Sequence, residues 1–166
     1  KMKLMLIDGN SILNRAYYGV RALTNSQGLF TNGIYGFLSI YEKEMAAENP
    51  DAVCVCFDLK APTFRHRKYE GYKAQRKGMP AELAQQLPVL RELLDAMRVC
   101  QLSIEGYEAD DLIGTLAARC DSRGDECVII TGDKDDLQLV SDHVCVKLTV
   151  TRGGVSSSTR YTPQAV

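Results

Sequence analysis

The chain has 166 residues, 45% of them hydrophobic and 25% charged, with a formal net charge of −1. That length suits one domain able to hide roughly 70% of its unfolded surface, and the composition is ordinary for a globular protein. No apolar run reaches the roughly 20 residues that cross a bilayer, and the opening KMKLMLIDGN lacks a small-residue cleavage site, so neither a membrane span nor a secretion signal is expected.

Leu4-Met5-Leu6-Ile7 is a continuous apolar run and predicts a strand buried on both faces. It ends at Asp8-Gly9-Asn10-Ser11, where Asn10 or Ser11 is expected to cap a helix reaching Tyr18. Residues 33–48 predict a second helix, with Ile34, Phe37, Leu38, Tyr41 and Met45 at helical spacing and Asn49-Pro50 as its stop. Residues 52–57 form a second buried strand that runs into Asp58, and residues 60–79 are polar, basic and aromatic without an apolar stripe. Pro80 is expected to open one helix through residue 98, carrying Leu83, Leu87, Leu90, Leu94 and Met97, and residues 102–104 give a short strand. Glu108 precedes a helix whose Leu112, Ile113, Leu116, Ala117 and Cys120 face inward and which Gly124 closes. Residues 127–130 are a third buried strand, leading to Thr131-Gly132-Asp133. Residues 143–151 alternate, with Val144, Val146, Leu148 and Val150 expected on one face, before Arg152-Gly153-Gly154 turns the chain into a hairpin. Thr162-Pro163 is a helix-opening pair, so a helix is expected to continue beyond the last residue, and the chain reads as a fragment. Strands alternating with helices predict an α/β domain with a mostly parallel sheet covered on both faces.

Six cysteines (Cys54, Cys56, Cys100, Cys120, Cys127 and Cys145) form no CxxC and fit neither a zinc spacing nor a disulfide framework. They are expected to be small buried hydrophobes in a reducing cytoplasm. The near-zero net charge hides a segregation. Residues 65–77 hold six Lys/Arg (Arg65, Arg67, Lys68, Lys73, Arg76, Lys77) against one acid, Glu70. Acids gather elsewhere, at Asp8, Asp58, 108–111 and 133–136.

Three buried strands each run into an aspartate, namely Asp8, Asp58 and Asp133. The carboxyl ends of parallel strands share one edge, where such folds place ligands. Glu108, Asp110 and Asp111 join them from the first turn of a helix, and Asp135 and Asp136 follow directly. Any one acid at a strand end is unremarkable, but six or more on one rim repel each other unless cations neutralise them. An all-oxygen set without His or Cys suits Mg²⁺ or Mn²⁺, and two such ions about 3.5–4 Å apart form the usual clamp for phosphodiester hydrolysis. The basic segment, interleaved with Phe64, Tyr69 and Tyr72, suits phosphates and unpaired bases.

IDGN at 7–10, FD at 57–58, FRHRKYEGYKAQR at 64–76, GYEADD at 106–111 and TGDKDD at 131–136 resemble the 5′-nuclease domain joined to bacterial DNA polymerase I and related to flap endonucleases. The resemblance covers nearly the whole chain. It implies a PIN-like three-layer αβα domain over residues 1–166, with a metal site at the carboxyl edge beneath a basic helical arch at about 60–79. It implies metal ligation by Asp8, Asp58, Glu108, Asp110, Asp111, Asp133 and Asp135, holding two divalent ions. Lys73 and Arg76 resemble arch residues that contact the scissile phosphate, Tyr72 the aromatic that stacks on the adjacent base, and Arg15 and Arg65 further substrate contacts. Asp136 falls outside the pattern and is expected to cap the short helix after it. The family's next block, an aspartate pair and a helix–hairpin–helix, is absent from the sequence. The activity implied is structure-selective cleavage of 5′ flaps, nicked duplexes or RNA primers by a monomeric, nucleoid-associated bacterial protein with a polymerase following.

Three other readings compete. A receiver or HAD-type phosphotransfer domain also collects aspartates at a sheet edge, but Asp8-Gly9-Asn10 lacks the DxD of such a phosphatase and a receiver needs no basic-aromatic arm. A non-catalytic nucleic-acid-binding module needs no such carboxylate set. A PIN-type ribonuclease differs only in substrate.

Overall fold

Strand β1, Lys3–Asp8, owes its form to alternation. Met5 and Ile7 enter one apolar cluster and Leu6 the other, so both faces of the strand are buried. This computed structural model describes residues 1–59 and 79–165. Helices α1 (Gly9–Gly19) and α2 (Asn32–Glu48) follow, then β2 (Ala52–Cys56). After residue 79 come α3 (Ala81–Ala84), α4 (Gln86–Ala96), β3 (Cys100–Leu102) and α5 (Ala109–Arg123). Strand β4 (Glu126–Thr131), a 3₁₀ helix (Lys134–Leu139), β5 (Val144–Arg152) and β6 (Val155–Tyr161) complete the order.

The six strands form one sheet ordered β3-β2-β1-β4-β5-β6. All neighbours pair in parallel except β5 and β6. Strand order reverses between β1 and β4, so the carboxyl ends diverge there and leave a crevice. One core lies under α1, α2 and α4, built on Met5, Ile7, Phe37, Phe57 and Leu90. The other lies under α5, built on Leu6, Cys54, Cys56, Ile113 and Ile129. Each such fully buried side chain contributes roughly 1.5–3 kcal/mol. All six cysteines are free and all but Cys100 are buried, as expected of small hydrophobes.

Several expectations are corrected. The helix expected across 80–98 is two, α3 and α4, broken at Gln85. Pro88 lacks the N–H that would bond to Ala84, and its ring crowds that carbonyl. The short strand lies at Cys100–Leu102 rather than 102–104, fixed by register with β2, where Cys54 pairs with Cys100. The hairpin forms as expected, with Gly153 and Gly154 at φ 58° and 80°, the left-handed pair that a two-residue turn requires. Alternation along β5 misleads at its far end. Val150 is 37% exposed, whereas Lys147, Thr149 and Thr151 are buried. They lie beneath the first two helices, where Thr151 touches Gly19.

Lys147 brings a buried charge network with it. Its Nζ pairs with Glu44 Oε2 at 2.7 Å and Glu48 Oε2 at 3.0 Å. Glu48 also pairs with Lys3 and Arg160, each at 3.0 Å. Burial alone would raise the Glu48 carboxyl, but the bonds from Lys147, Lys3 and Arg160 outweigh it and bring it down to about 2. Among the described residues, no helix is long and apolar enough to cross a membrane.

Candidate metal centre

The carboxyl edge is assembled by hydrogen bonds among strand ends. Asp8 closes β1 and caps α1, its Oδ1 accepting from the Ser11 N–H at 3.2 Å. Neither Asn10 nor Ser11 is the cap; both brace neighbouring loops instead. Asn10 Oδ1 accepts the Asp58 N–H at 2.7 Å, and Ser11 Oγ accepts the Gly132 N–H at 2.8 Å. Arg15 donates to the Gly132 carbonyl at 2.7 and 3.2 Å. The segment after β1 thus ties the ends of β2 and β4 to β1.

Gly9 is required by close approach, since a Cβ there would lie 2.5 Å from the buried Phe57 ring. Gly9→Ala is therefore expected to destabilise the domain by about 1–3 kcal/mol through overpacking. Urea titration checks this, and an unchanged midpoint would show that the ring moves freely.

Asp58 accepts the Ala109 N–H at 2.6 Å with Oδ1, which places it at the positive end of α5. Glu108 is the N-cap of α5 and is 5% exposed. Asp111 Oδ2 accepts the Glu108 N–H at 2.9 Å, which fixes the first turn. Asp110 projects from that turn and lines two adjoining depressions. One also holds Asp8, Asp58, Arg15 and Asp133; the other holds Asp111, Asp135 and Asp136, and Glu108 lines both. Asp133 caps the 3₁₀ helix by accepting the Asp135 N–H at 2.9 Å. Asp135 is exposed.

Asp136 does not cap the short helix. Asp133 does, and Asp136 turns inward and is 2% exposed. Oxygen atoms of Asp8, Asp110 and Asp136 all lie within 4.8 Å of one another. No sequence motif marks Asp136 as inward; its distance of one 3₁₀ turn from Asp133 is the available signal. Arg65, Tyr72, Lys73 and Arg76, with the whole basic arch, fall at 60–78, outside the described residues.

Crowding has the expected electrostatic result. Burial, then the charges of Asp110 and Asp136, raises the Asp8 carboxyl well above its ordinary range. Burial and Asp133 raise Asp110, and burial and Asp110 push Asp136 up to about 7. Among the described residues, no Lys, Arg or His side chain pairs with these three. Among the described residues, Asp136 Oδ2 is buried with no hydrogen-bond partner. A donor set made only of carboxylates, with one oxygen orphaned, fits hard divalent cations.

Carboxylates gathered where the strand order of a parallel sheet reverses, beneath the N-terminus of a helix, define a PIN-like α/β fold. The profile for the 5′-3′ exonuclease, N-terminal resolvase-like domain, matches residues 3–166, and the chain belongs to that family. It is 46% identical over 166 residues to DNA polymerase I of Bacillus caldotenax, covering 100% of this chain and 19% of that one. Among solved structures it is similar to the T5 5′-exonuclease bound to divalent metal ions (zinc), with TM-score 0.65 and 21% identity over 96% of this chain and 58% of that one. It is also similar to the bacteriophage T5 flap endonuclease in a pseudo-enzyme–product complex with DNA and metal ions. That match has TM-score 0.59 and 19% identity over 87% of this chain and 54% of that one.

Proposed function

We propose that the chain is the metal-binding part of a structure-selective 5′-nuclease that hydrolyses DNA phosphodiesters at 5′ flaps and nicks, RNA primers included, ahead of a C-terminal polymerase. The observation that carries this reading is the convergence of Asp8, Asp110 and Asp136 at one sheet edge, their oxygens within 4.8 Å of one another. Family membership and the DNA-bound T5 enzyme support it. Asp8, Asp58, Glu108, Asp110, Asp111, Asp133 and Asp135 hold two divalent ions, Mg²⁺ or Mn²⁺. When bound, such ions activate the attacking water and stabilise the leaving oxygen.

The carboxylates position those ions, and Asn10, Ser11 and Arg15 keep the strand ends that carry them in register. Lys73 and Arg76 neutralise the reacting phosphate, Tyr72 stacks on the adjacent base, and Arg15 and Arg65 hold neighbouring phosphates. No His or nucleophilic Ser is needed.

The test uses the longest natural polypeptide containing these residues. It is given 5′-flap DNA, nicked duplex, RNA-primed DNA and single-stranded RNA in Mg²⁺. Flap and nicked substrates are expected to be cut fastest; preference for single-stranded RNA would favour a ribonuclease instead. Lys73→Ala and Arg76→Ala are each expected to slow cleavage about a hundredfold by removing a positive charge from the transition state. Each should also reduce the salt dependence of binding by about one unit. Unchanged turnover and unchanged salt slope would leave the arch without a catalytic role.

A further inference from the structure

Asp136 is the inward carboxylate that no motif required. In a 3₁₀ helix three residues make a turn, so Asp133, Asp136 and Leu139 share a face. Leu139 packs against the apolar cluster under α5, and Asp136 takes the position one turn nearer the sheet edge. Its neighbours offer few donors. The Ser11 N–H serves Asp8 Oδ1. The Thr131 hydroxyl has one proton and several takers: its Oγ1 lies 3.4 Å from both Asp8 Oδ2 and Ser11 Oγ, and it also bonds the Asp136 carboxyl. Among the described residues, Asp136 Oδ2 has no hydrogen-bond partner. A carboxylate oxygen buried without a donor or counter-charge is unfavourable, and a hard cation shared among carboxylate oxygens removes the deficit.

The geometry suits such an ion. Opposite oxygens around an octahedral cation with bonds of about 2.1 Å lie about 4.2 Å apart. The Asp8, Asp110 and Asp136 oxygens already lie within 4.8 Å of one another. We infer that Asp136 is a further ligand of a divalent cation at this edge, bound on the inner side of the site together with Asp8 and Asp110. The inference rests on the reading of this edge as a metal centre. It adds a ligand from the 3₁₀ helix, behind the exposed Asp135.

The probe is Mn²⁺ alone, titrated into the metal-free chain and followed by the loss of the free-ion electron paramagnetic resonance signal. The parent chain is expected to bind it. Asp136→Asn, which keeps the shape and removes the charge, is expected to weaken binding at least about tenfold. Thermal unfolding in a chelator, with the melting point unchanged or raised, shows that the variant still folds. A Mn²⁺-soaked crystal of the parent gives an independent reading. An anomalous peak within bonding distance of Asp136 and of Asp8 or Asp110 supports the assignment, and does so even if the variant fails to fold. Equal Mn²⁺ affinity in Asp136→Asn, or a peak ligated by Asp8 and Asp110 with Asp136 turned away, overturns it and leaves the metal centre standing. A parent chain that binds no Mn²⁺ at millimolar concentration overturns both this inference and the reading beneath it.

Discussion

Asp110→Asn is expected to lower the rate of 5′-flap cleavage in Mg²⁺ about a thousandfold while the DNA still binds. Asp110 lines both depressions and faces Asp8, Asp58, Glu108 and Asp133, so its loss touches several of the proposed ligands at once. Loss of a metal ligand removes roughly 4 kcal/mol of transition-state charge stabilisation, and each 1.36 kcal/mol is a factor of ten. Single-turnover cleavage and fluorescence anisotropy separate the two effects, since the substitution adds no charge against phosphate. A second measurement has the opposite sign. Burial and Asp133 raise the Asp110 carboxyl, which means that its charge is disfavoured in the metal-free fold. Asp110→Asn should therefore melt a few degrees higher than the parent in a chelator, as about 1 kcal/mol does in a domain of this size. Cleavage at the parent rate would remove the two-ion reading, and a lower melting point in the chelator would show that repulsion does not govern this edge.

Lys147→Met is expected to destabilise the domain by about 3–5 kcal/mol at neutral pH. Lys147 lies between Glu44 and Glu48, both buried, and its removal leaves two carboxylates facing each other without a shared cation. Chemical denaturation gives the size of the effect, and acid unfolding gives its origin. Glu48 is held at about 2 against an ordinary 4.5. Its contribution is complete above the higher value and is lost as pH falls through the lower one. Across that window the parent should lose stability steadily. Lys147→Met should lose less, because the first of the bonds that depress Glu48 is gone. A variant as stable as the parent would mean that the methionine packs as well as the ion pair did, an outcome known for buried pairs replaced whole. Glu44→Gln and Glu48→Gln added to Lys147→Met should then recover little further stability.

Much of this molecule is legible in its sequence, and the physical reasons are local. Leu4-Met5-Leu6-Ile7 and Cys127-Val128-Ile129-Ile130 read as strands buried on both faces, and each does lie inside the parallel sheet. Because parallel strands share a carboxyl edge, Asp8, Asp58 and Asp133 had to converge however far apart they stand in the chain. The GYEADD and TGDKDD runs lie at the same edge, and the chain belongs to the family that they resemble.

What the sequence could not decide depended on contacts between distant segments or on the choice between similar periods. The periodicity of 80–98 concealed a break at Gln85, because apolar spacing runs on unchanged through a residue that lacks an N–H, Pro88. The capping residue after β1 was misassigned because Asp8, Asn10 and Ser11 are all good caps. Only the positions of Asp58 and Gly132, 48 and 121 residues from their partners, drew Asn10 and Ser11 into bracing loops and left the cap to Asp8. Lys147, a charged residue on an edge of the core, reads as exposed until α2 lays Glu44 and Glu48 over it. Composition and spacing by themselves determined the α/β class and the sheet edge at which the carboxylates gather. Which carboxylates face inward was settled by tertiary structure alone. Four helix-compatible residues, Asp133-Lys134-Asp135-Asp136, took three residues per turn rather than 3.6 between β4 and β5, turning Asp136 toward Asp8 and Asp110 and Asp135 toward solvent.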